Sequence, residues 1–578
     1  MRTNLPLALV LTLAASATAC ILSPVALPAE DGATVAAPVS PSPLPGSAAA
    51  PTTYYIRPDG GSPEQCTGRA DAAYPGSGTS QPCAWDHPFR ALQPSGEPDQ
   101  PGTVRIAGGD TLIIAPGSYS IGLEARGAAG GQAEYPWDCH MPPVPSGPNP
   151  TQPTRILGQG WDAGCPSPPE LWGTERAAYV LNLTGANNVE IACLEITDHA
   201  DCVEDHTGGL ACERDSYPYG DWAPTGLYAE DSTNVRLQHV NIHGMAHTGV
   251  WAGQLTDWTV EDVRIVGNGW VGWDGDIDGE DANAGTLTFR RWTVAWNGCG
   301  ETYPDEEPAG CWSQSAGGYG DGVGTGATGG DWIIEDSAFL HNTSDGLDLL
   351  YHTLGGSITI RRTIAEGNAG DQIKTSGPTR IENGLVVSNC GFFSGQPFTY
   401  DVDACRAGGS AFAVTLHPGD QAAVVNATVT GEGDCLIIAE CVAGENCNGS
   451  ESILLRNDIF QGHAQFGGGG DTTCLAWTDI SSDLFATDHA IINGLKSTPD
   501  PCPPDSLCDI PPGLADEGID TFDAHLTAGS PAIDAGTGDG APADDLDGRP
   551  RDTLPDLGAF ERWKPAMWIH LPLVLAEA

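Results

Sequence analysis

Two neighbouring stretches concentrate residues that could do chemistry. Ser344-Asp345-Gly346-Leu347-Asp348 is followed by Gly370-Asp371-Gln372-Ile373-Lys374, and Asp321 precedes Asp345 by 24 residues. Carboxylates brought close together repel, and they persist where a cation or protonation offsets the repulsion. Oxygen-only ligands at variable spacing favour Ca²⁺ over zinc or Mg²⁺. A lysine among them is either an ion-pair partner or, if it loses its proton, a base. Aspartates at successive turns also serve simply to cap backbone N–H groups, and spacing alone leaves both readings open.

Whether these residues meet depends on the elements that carry them, and those repeat. An apolar residue followed by others at +2, +5 and +7 occurs as Val189, Ile191, Leu194, Ile196, as Val235, Leu237, Val240, Ile242 and as Trp258, Val260, Val263, Ile265. Looser copies start at Leu287, Trp332, Ile358, Ala422 and Ile453. The +2 step is strand alternation, and the shift to +5 marks a bend between two short strands. Gly226, Gly249 and Gly272 are 23 residues apart, Gly322 and Gly346 are 24 apart, and Gln372 follows 26 later. Such a period predicts an all-β parallel β-helix whose coils stack at about 4.8 Å, because no coil closes its own core. The preferred sense of crossover connections makes it right-handed. Asn187, Asn188, Asn234, Asn268, Asn297 and Asn342 fall near bends, where asparagine tolerates left-handed backbone.

Stacking turns offsets into neighbours. Two residues after each glycine position the chain reads Tyr228, Trp251, Asp274, Gly324, Asp348, Lys374, an outward column on one sheet. One residue before it, Asp321, Asp345 and Asp371 form a second column. Tyr228 and Trp251 are placed to stack on sugar rings, with Asp274 beside them as a further substrate-binding position. Arg361 and Arg362, like Arg290 and Arg291, sit on strand bends and either grip acidic sugars or pair with surface carboxylates. His243 and His247 are four apart but fall on a turn, and His199 and His206 belong to another loop, which argues against a histidine metal site.

The paired stretches resemble the family 9 polysaccharide lyases. The resemblance implies a right-handed parallel β-helix enzyme with Ca²⁺ held by the aspartates of a D-D-G-x-D stretch and by an aspartate one coil earlier, and with a lysine base on a following coil. Carried across, Asp345 and Asp348 fit the D-G-x-D, Asp321 the earlier ligand and Lys374 the base. Ser344 departs from the first Asp of the pattern, and Asp371 is the substitute ligand at hand. The implied reaction is β-elimination on a uronate-containing glycan, with Ca²⁺ on the substrate carboxylate. A neutral Lys374 needs a depressed pKa, which burial favours and Asp348 and Asp371 oppose. The rival readings are a non-catalytic glycan-binding or adhesive β-helix and a glycoside hydrolase using an acid pair among Asp321, Asp345 and Asp348.

Composition bounds the rest. The 578 residues carry 24 Lys+Arg against 76 Asp+Glu, a net charge of −52, which argues against nucleic acid or anionic lipid as partner. Residues 1–19 read as a signal peptide: Arg2, an apolar run from Leu5, and Ala17-Thr18-Ala19 before Cys20. Cys20 in that place resembles the lipid-anchored residue of a bacterial lipoprotein. Residues 20–53 are a Pro/Ala/Ser-rich linker, 54–125 an N-terminal cap, 126–465 the coils with loop insertions, 466–562 terminal coils and a C-terminal cap, and 563–578 an apolar tail too short to span a membrane. Ala528-Gly529-Ser530-Pro531-Ala532 and Asp556-Leu557-Gly558-Ala559-Phe560 resemble the closing segment of many secreted bacterial β-helix proteins. Eighteen cysteines in an exported chain predict local disulfides, among them 66–83, 139–165, 299–311, 390–405 and 502–508. A monomer, secreted or held at the cell surface, is expected, without a transmembrane span.

Overall fold

The computed structural model describes residues 50–94, 102–122, 125, 139–174, 177–203, 222–302, 307–312, 319–433, 435–441, 449–462, 474–478, 485–494 and 502–562. The expected signal peptide, the expected lipid-anchor residue Cys20 and the C-terminal apolar tail lie outside these residues. Among those described, strands of successive coils pair in parallel into a 24-stranded sheet and an 11-stranded sheet, which makes the molecule a parallel β-helix. No helix among them is long and apolar enough to cross a membrane.

The repeat read from the sequence is the observed register. Val189 pairs with Val235 and Ile196 with Ile242, and Leu237 continues to Val260, Phe289 and Ile334. These residues fill one continuous core. Stacked aromatic rings, such as Phe289 on Trp332 at 5.3 Å between centroids, thicken it. The +5 shift has a single backbone cause. Cys193, His239, Asp262, Arg291, Asp336, Arg362, Asn383, Asn426, Asn457 and His489 all take positive φ, one at each bend. That turn advances the chain by an extra residue without exposing the inward face. Residues 379–388 supply a coil that the template passes over, with Ile381 on Ile360 and Val386 on Ala365.

Parallel pairing already begins with Thr53–Gly61 on Thr111–Ile114, so the segment expected as an N-terminal cap carries the first rungs itself. The C-terminal segment lies along the flank of the late coils. Phe560 and Ala559 pack with Leu385 and Val387, and Leu557 with Ile459 and Ile491. Asn426 Nδ2 donates to Asp556 O at 3.0 Å, which closes polar groups at the bends as well as apolar ones.

One expectation fails at a corner of the coil. Asn188 and Asn234 are left-handed as expected. Asn268, Asn297 and Asn342 instead form a buried amide ladder with Asn368. Nδ2 of each donates to Oδ1 of the next at 3.0, 2.9 and 2.8 Å, and Asn368 ends the ladder on Gln372 Oε1 at 2.8 Å. A Cβ at Gly346 would lie 2.6 Å from Asn368 Nδ2 and 2.5 Å from Gln372 O, which explains that glycine. Gln372 stands where the glycines do in earlier coils because its own amide closes the ladder.

Four of the expected disulfides form: 66–83, 299–311, 390–405 and 502–508. The pairing of Cys139 with Cys165 is corrected, since Cys165 bonds Cys193 at the neighbouring bend.

Candidate functional site

The amide ladder fixes the corner from which the acidic column projects. Asp321, Asp345 and Asp371 each stand immediately before a glycine or Gln372 at that corner. Asp321 Oδ1 accepts the Asp345 N–H at 2.9 Å, Asp345 Oδ1 the Asp371 N–H at 2.7 Å, and Asp371 Oδ1 the Ser410 N–H at 2.7 Å. Each carboxylate therefore caps the next coil with one oxygen and keeps the other for the site. The outward column is in register: Tyr228 pairs with Trp251, Trp251 with Asp274, Asp274 with Gly324, Gly324 with Asp348, and Asp348 with Lys374.

The acidic residues do not stand on an open wall, as their spacing suggested. Asp321, Asp345 and Asp371 are 3%, 2% and 3% exposed, and with Asp348 and Lys374 they belong to a recessed floor. Above Asp321, Asp345, Asp348 and Lys374 opens a cleft of about 720 Å³, also lined by Asp274, Asp276, His247, Trp270, Tyr351 and Arg406. A second groove of about 500 Å³, lined by Tyr179, Tyr228 and Trp251, shares His247 and Asp274 with it. Tyr228 stacks on Tyr179 at 5.2 Å and meets Trp251 edge-on at 5.3 Å, leaving Trp251 38% exposed. The five register steps from Tyr228 to Lys374 span roughly 24 Å at the strand spacing. An aromatic stretch thus runs into an acidic one along the axis of the coils.

Lys374 Nζ lies 2.6 Å from Asp345 Oδ2, 3.4 Å from Asp348 Oδ2 and 3.7 Å from Asp371 Oδ2. Burial is the largest single influence on this ammonium and lowers its pKa. Asp345, Asp348, Asp371 and Asp321 together outweigh burial and raise it above the ordinary lysine value. The amine expected to be neutral is therefore held protonated as the counter-ion of the column. Burial pushes Asp321 up to about 7, with repulsion from Asp345 and Asp348 adding to it. Asp371 also rises to about 7, through burial first, with Lys374 opposing. Asp348 is raised for the same reason, and burial lifts Asp274 to about 6.

Oxygen atoms of Asp321, Asp345 and Asp348 all lie within 4.8 Å of one another. This is a hard, anionic, oxygen-only donor set, suited to Ca²⁺ with further oxygens from water or ligand. Asp371, expected as a fourth ligand, is not in that group; its second oxygen faces the lysine. Arg361 and Arg362 are elsewhere. Glu261, Arg290, Glu335, Arg361 and Glu382 form an alternating ladder on the other sheet, with Arg361 3.3 Å from Glu335 and 3.0 Å from Glu382. Arg362 holds Asp336 and, at 3.2 Å, Asp544 of the C-terminal segment. Neither lines the cleft. Sequence reasoning missed Arg406, which directly follows Cys405 in the 390–408 insertion, outside the repeat. The only signal for it was the disulfide-stapled loop.

No family model matches the chain, and no curated protein matches its sequence. Among solved structures, pectate lyase Pel9A superposes with a TM-score of 0.41 at 13% identity, covering 89% of this chain and 98% of its own. The A-module of the mannuronan C-5 epimerase AlgE4 of Azotobacter vinelandii gives 0.37 at 13% identity over 65% and 88%. An alginate lyase of Paenibacillus sp. gives 0.29 at 15% identity over 64% and 93%.

Proposed function

We propose that the protein is an extracellular polysaccharide-acting enzyme that cleaves a uronate-containing glycan by Ca²⁺-assisted β-elimination. The observation that carries this reading is the convergence of Asp321, Asp345 and Asp348 with Lys374 on the floor of a cleft that continues into an aromatic groove. Those three carboxylates would hold the ion. Bound there, Ca²⁺ would polarise the substrate carboxylate and offset the negative charge that keeps Lys374 protonated. Once it has released its own proton to solvent, the neutral Lys374 amine takes the proton α to the sugar carboxylate, a carbon–carbon double bond forms, and the glycosidic C–O bond at the β carbon breaks; the leaving oxygen is protonated from solvent. Asp371 positions Lys374 from the buried side. Trp251 and Tyr228 offer apolar faces to sugar rings further along the groove. Disulfides within the coils and loops support export. In this reading the signal peptide is removed and Cys20 is available for a lipid anchor.

The test is release of unsaturated, ultraviolet-absorbing product from polyuronates with Ca²⁺ present. Wild type releases it and Lys374→Ala does not, while both remain folded. Absence of unsaturated product from every polyuronate tried would overturn the reading. One observation favours a second chemistry: Asp321, protonated to about pH 7, stands beside other carboxylates as a general acid would. Hydrolysis would give cleavage without unsaturation, and a purely binding protein would retain glycan without cleaving it.

A further inference from the structure

The most exposed ring of the cleft has no part in the chemistry above. Tyr351 lines the cleft beside Asp348 and Leu350 and is 56% exposed. The other aromatic residues of the cleft wall pack on rings: His247 lies 4.1 Å from Trp270, and Trp270 lies 4.8 Å from Tyr319. Among the described residues no ring packs on Tyr351 and no partner holds its hydroxyl. Its backbone, by contrast, is firmly held. Asp348 Oδ1 accepts the Leu350 N–H at 2.8 Å. Tyr351 O accepts the Thr328 N–H of the preceding coil at 2.9 Å and the Thr353 N–H at 2.8 Å. His352, which is buried, donates from Nε2 to Gly330 O at 2.8 Å. The other oxygen of Asp348 faces Lys374 at 3.4 Å. One carboxylate thus belongs to the acidic floor and also sets the turn that carries the ring. With the main chain fixed, only the side-chain torsions of Tyr351 remain free, so covering its ring costs little ordering entropy.

We propose that Tyr351 is a substrate-binding residue at the acidic end of the cleft, whose exposed ring stacks on the apolar face of a pyranose unit and seats that unit over Asp348 and Lys374. The inference rests on the reading of the cleft as a glycan site. A pyranose presents C–H groups on one face and hydroxyls at its rim, which suits a side chain that offers an apolar ring and a polar tip. Tyr351 belongs to the coil of Asp348, three register steps from the coil of Trp251, roughly 14 Å at the strand spacing. One oligosaccharide laid along the coils therefore reaches both rings. The contact uses no charge, so it adds to whatever an ion on the floor contributes, in a chain whose net charge of −52 otherwise repels an acidic sugar.

Calorimetric titration of the full chain with oligogalacturonate and oligomannuronate, in the presence of Ca²⁺, tests this. Tyr351→Ala is expected to weaken binding about ten-fold, while Tyr351→Phe, which keeps the ring, binds as the wild type does. Tyr351→Leu keeps apolar bulk without a flat face and is expected to lose as much as Tyr351→Ala. It carries the test if the alanine variant does not fold. Ca²⁺ uptake, titrated separately, should match the wild type in all three. Unchanged glycan binding in Tyr351→Ala and Tyr351→Leu, an equal loss in Tyr351→Phe, or a loss of Ca²⁺ uptake together with glycan binding would overturn the role of the ring while leaving the glycan reading intact. Failure of the wild type to bind either oligomer would overturn that reading and this inference with it.

Discussion

Asp321→Asn should stabilise the protein above neutral pH while removing its response to Ca²⁺. Asp321 is buried, one oxygen accepts the Asp345 N–H, and burial with repulsion from Asp345 and Asp348 pushes it up to about 7. An unfolded aspartate titrates near 3.9. The folded state therefore keeps a proton that the unfolded state has released. The associated stability is fully present below about pH 4 and is lost as pH rises through 7. A shift of about three pH units corresponds to about 4 kcal/mol. Asparagine retains the carbonyl oxygen for the Asp345 N–H but cannot ionise, so the variant escapes this loss. With about 2.1 cal/mol/K per residue over the roughly 430 described residues, 1 kcal/mol moves the melting temperature by about 1 °C. The variant should melt with the wild type at pH 4 and about 4 °C above it at pH 8, by differential scanning calorimetry. Added Ca²⁺ should raise the wild type at pH 8 and leave the variant unmoved. A variant that melts below wild type at pH 8, or that keeps the full Ca²⁺ response, would refute the electrostatic reasoning.

Further outcomes follow from the same structure. Trp251→Ala removes a 38% exposed ring, so the melting temperature should stay within about 1 °C while glycan affinity by calorimetry falls about ten-fold. Gly346→Ala should abolish soluble expression or lower stability by more than about 3 kcal/mol in urea, because its Cβ meets Gln372 O at 2.5 Å and Asn368 Nδ2 at 2.6 Å. Arg362→Ala should expose the C-terminal segment to limited proteolysis, since it ties Asp544 to the coils, without changing the kinetics of glycan cleavage.

The repeat was legible because inward residues must be apolar whatever their identity, and each coil spends the same left-handed residue at its bend. The coil at 379–388 escaped notice because Thr379 and Gly384 dilute the pattern. The asparagines show the limit of residue type as a signal. Asn188 and Asn234 use the backbone freedom of asparagine, whereas Asn297 and Asn342 use its two-sided amide, and composition does not separate the two. The acidic column was readable once register was assumed. The protonation of Lys374 was legible only in part: the opposition of Asp348 and Asp371 to a neutral amine follows from register, but the added effect of Asp345 and Asp321 depends on four carboxylates converging on one ammonium. Arg361 was left between sugar binding and surface pairing for a related reason: its partners Glu335 and Glu382 lie one coil away on each side, and only stacking pairs them. Arg406 sits in a loop with no repeat to place it.

The proposed chemistry requires Asp321, Asp345 and Asp348 to form a cation site. Calorimetric titration of the full chain with Ca²⁺ tests it most directly. One ion should bind per chain, and Asp348→Asn should abolish the heat. A wild type that takes up no Ca²⁺, or an Asp348→Asn variant that binds it unchanged, would contradict the account.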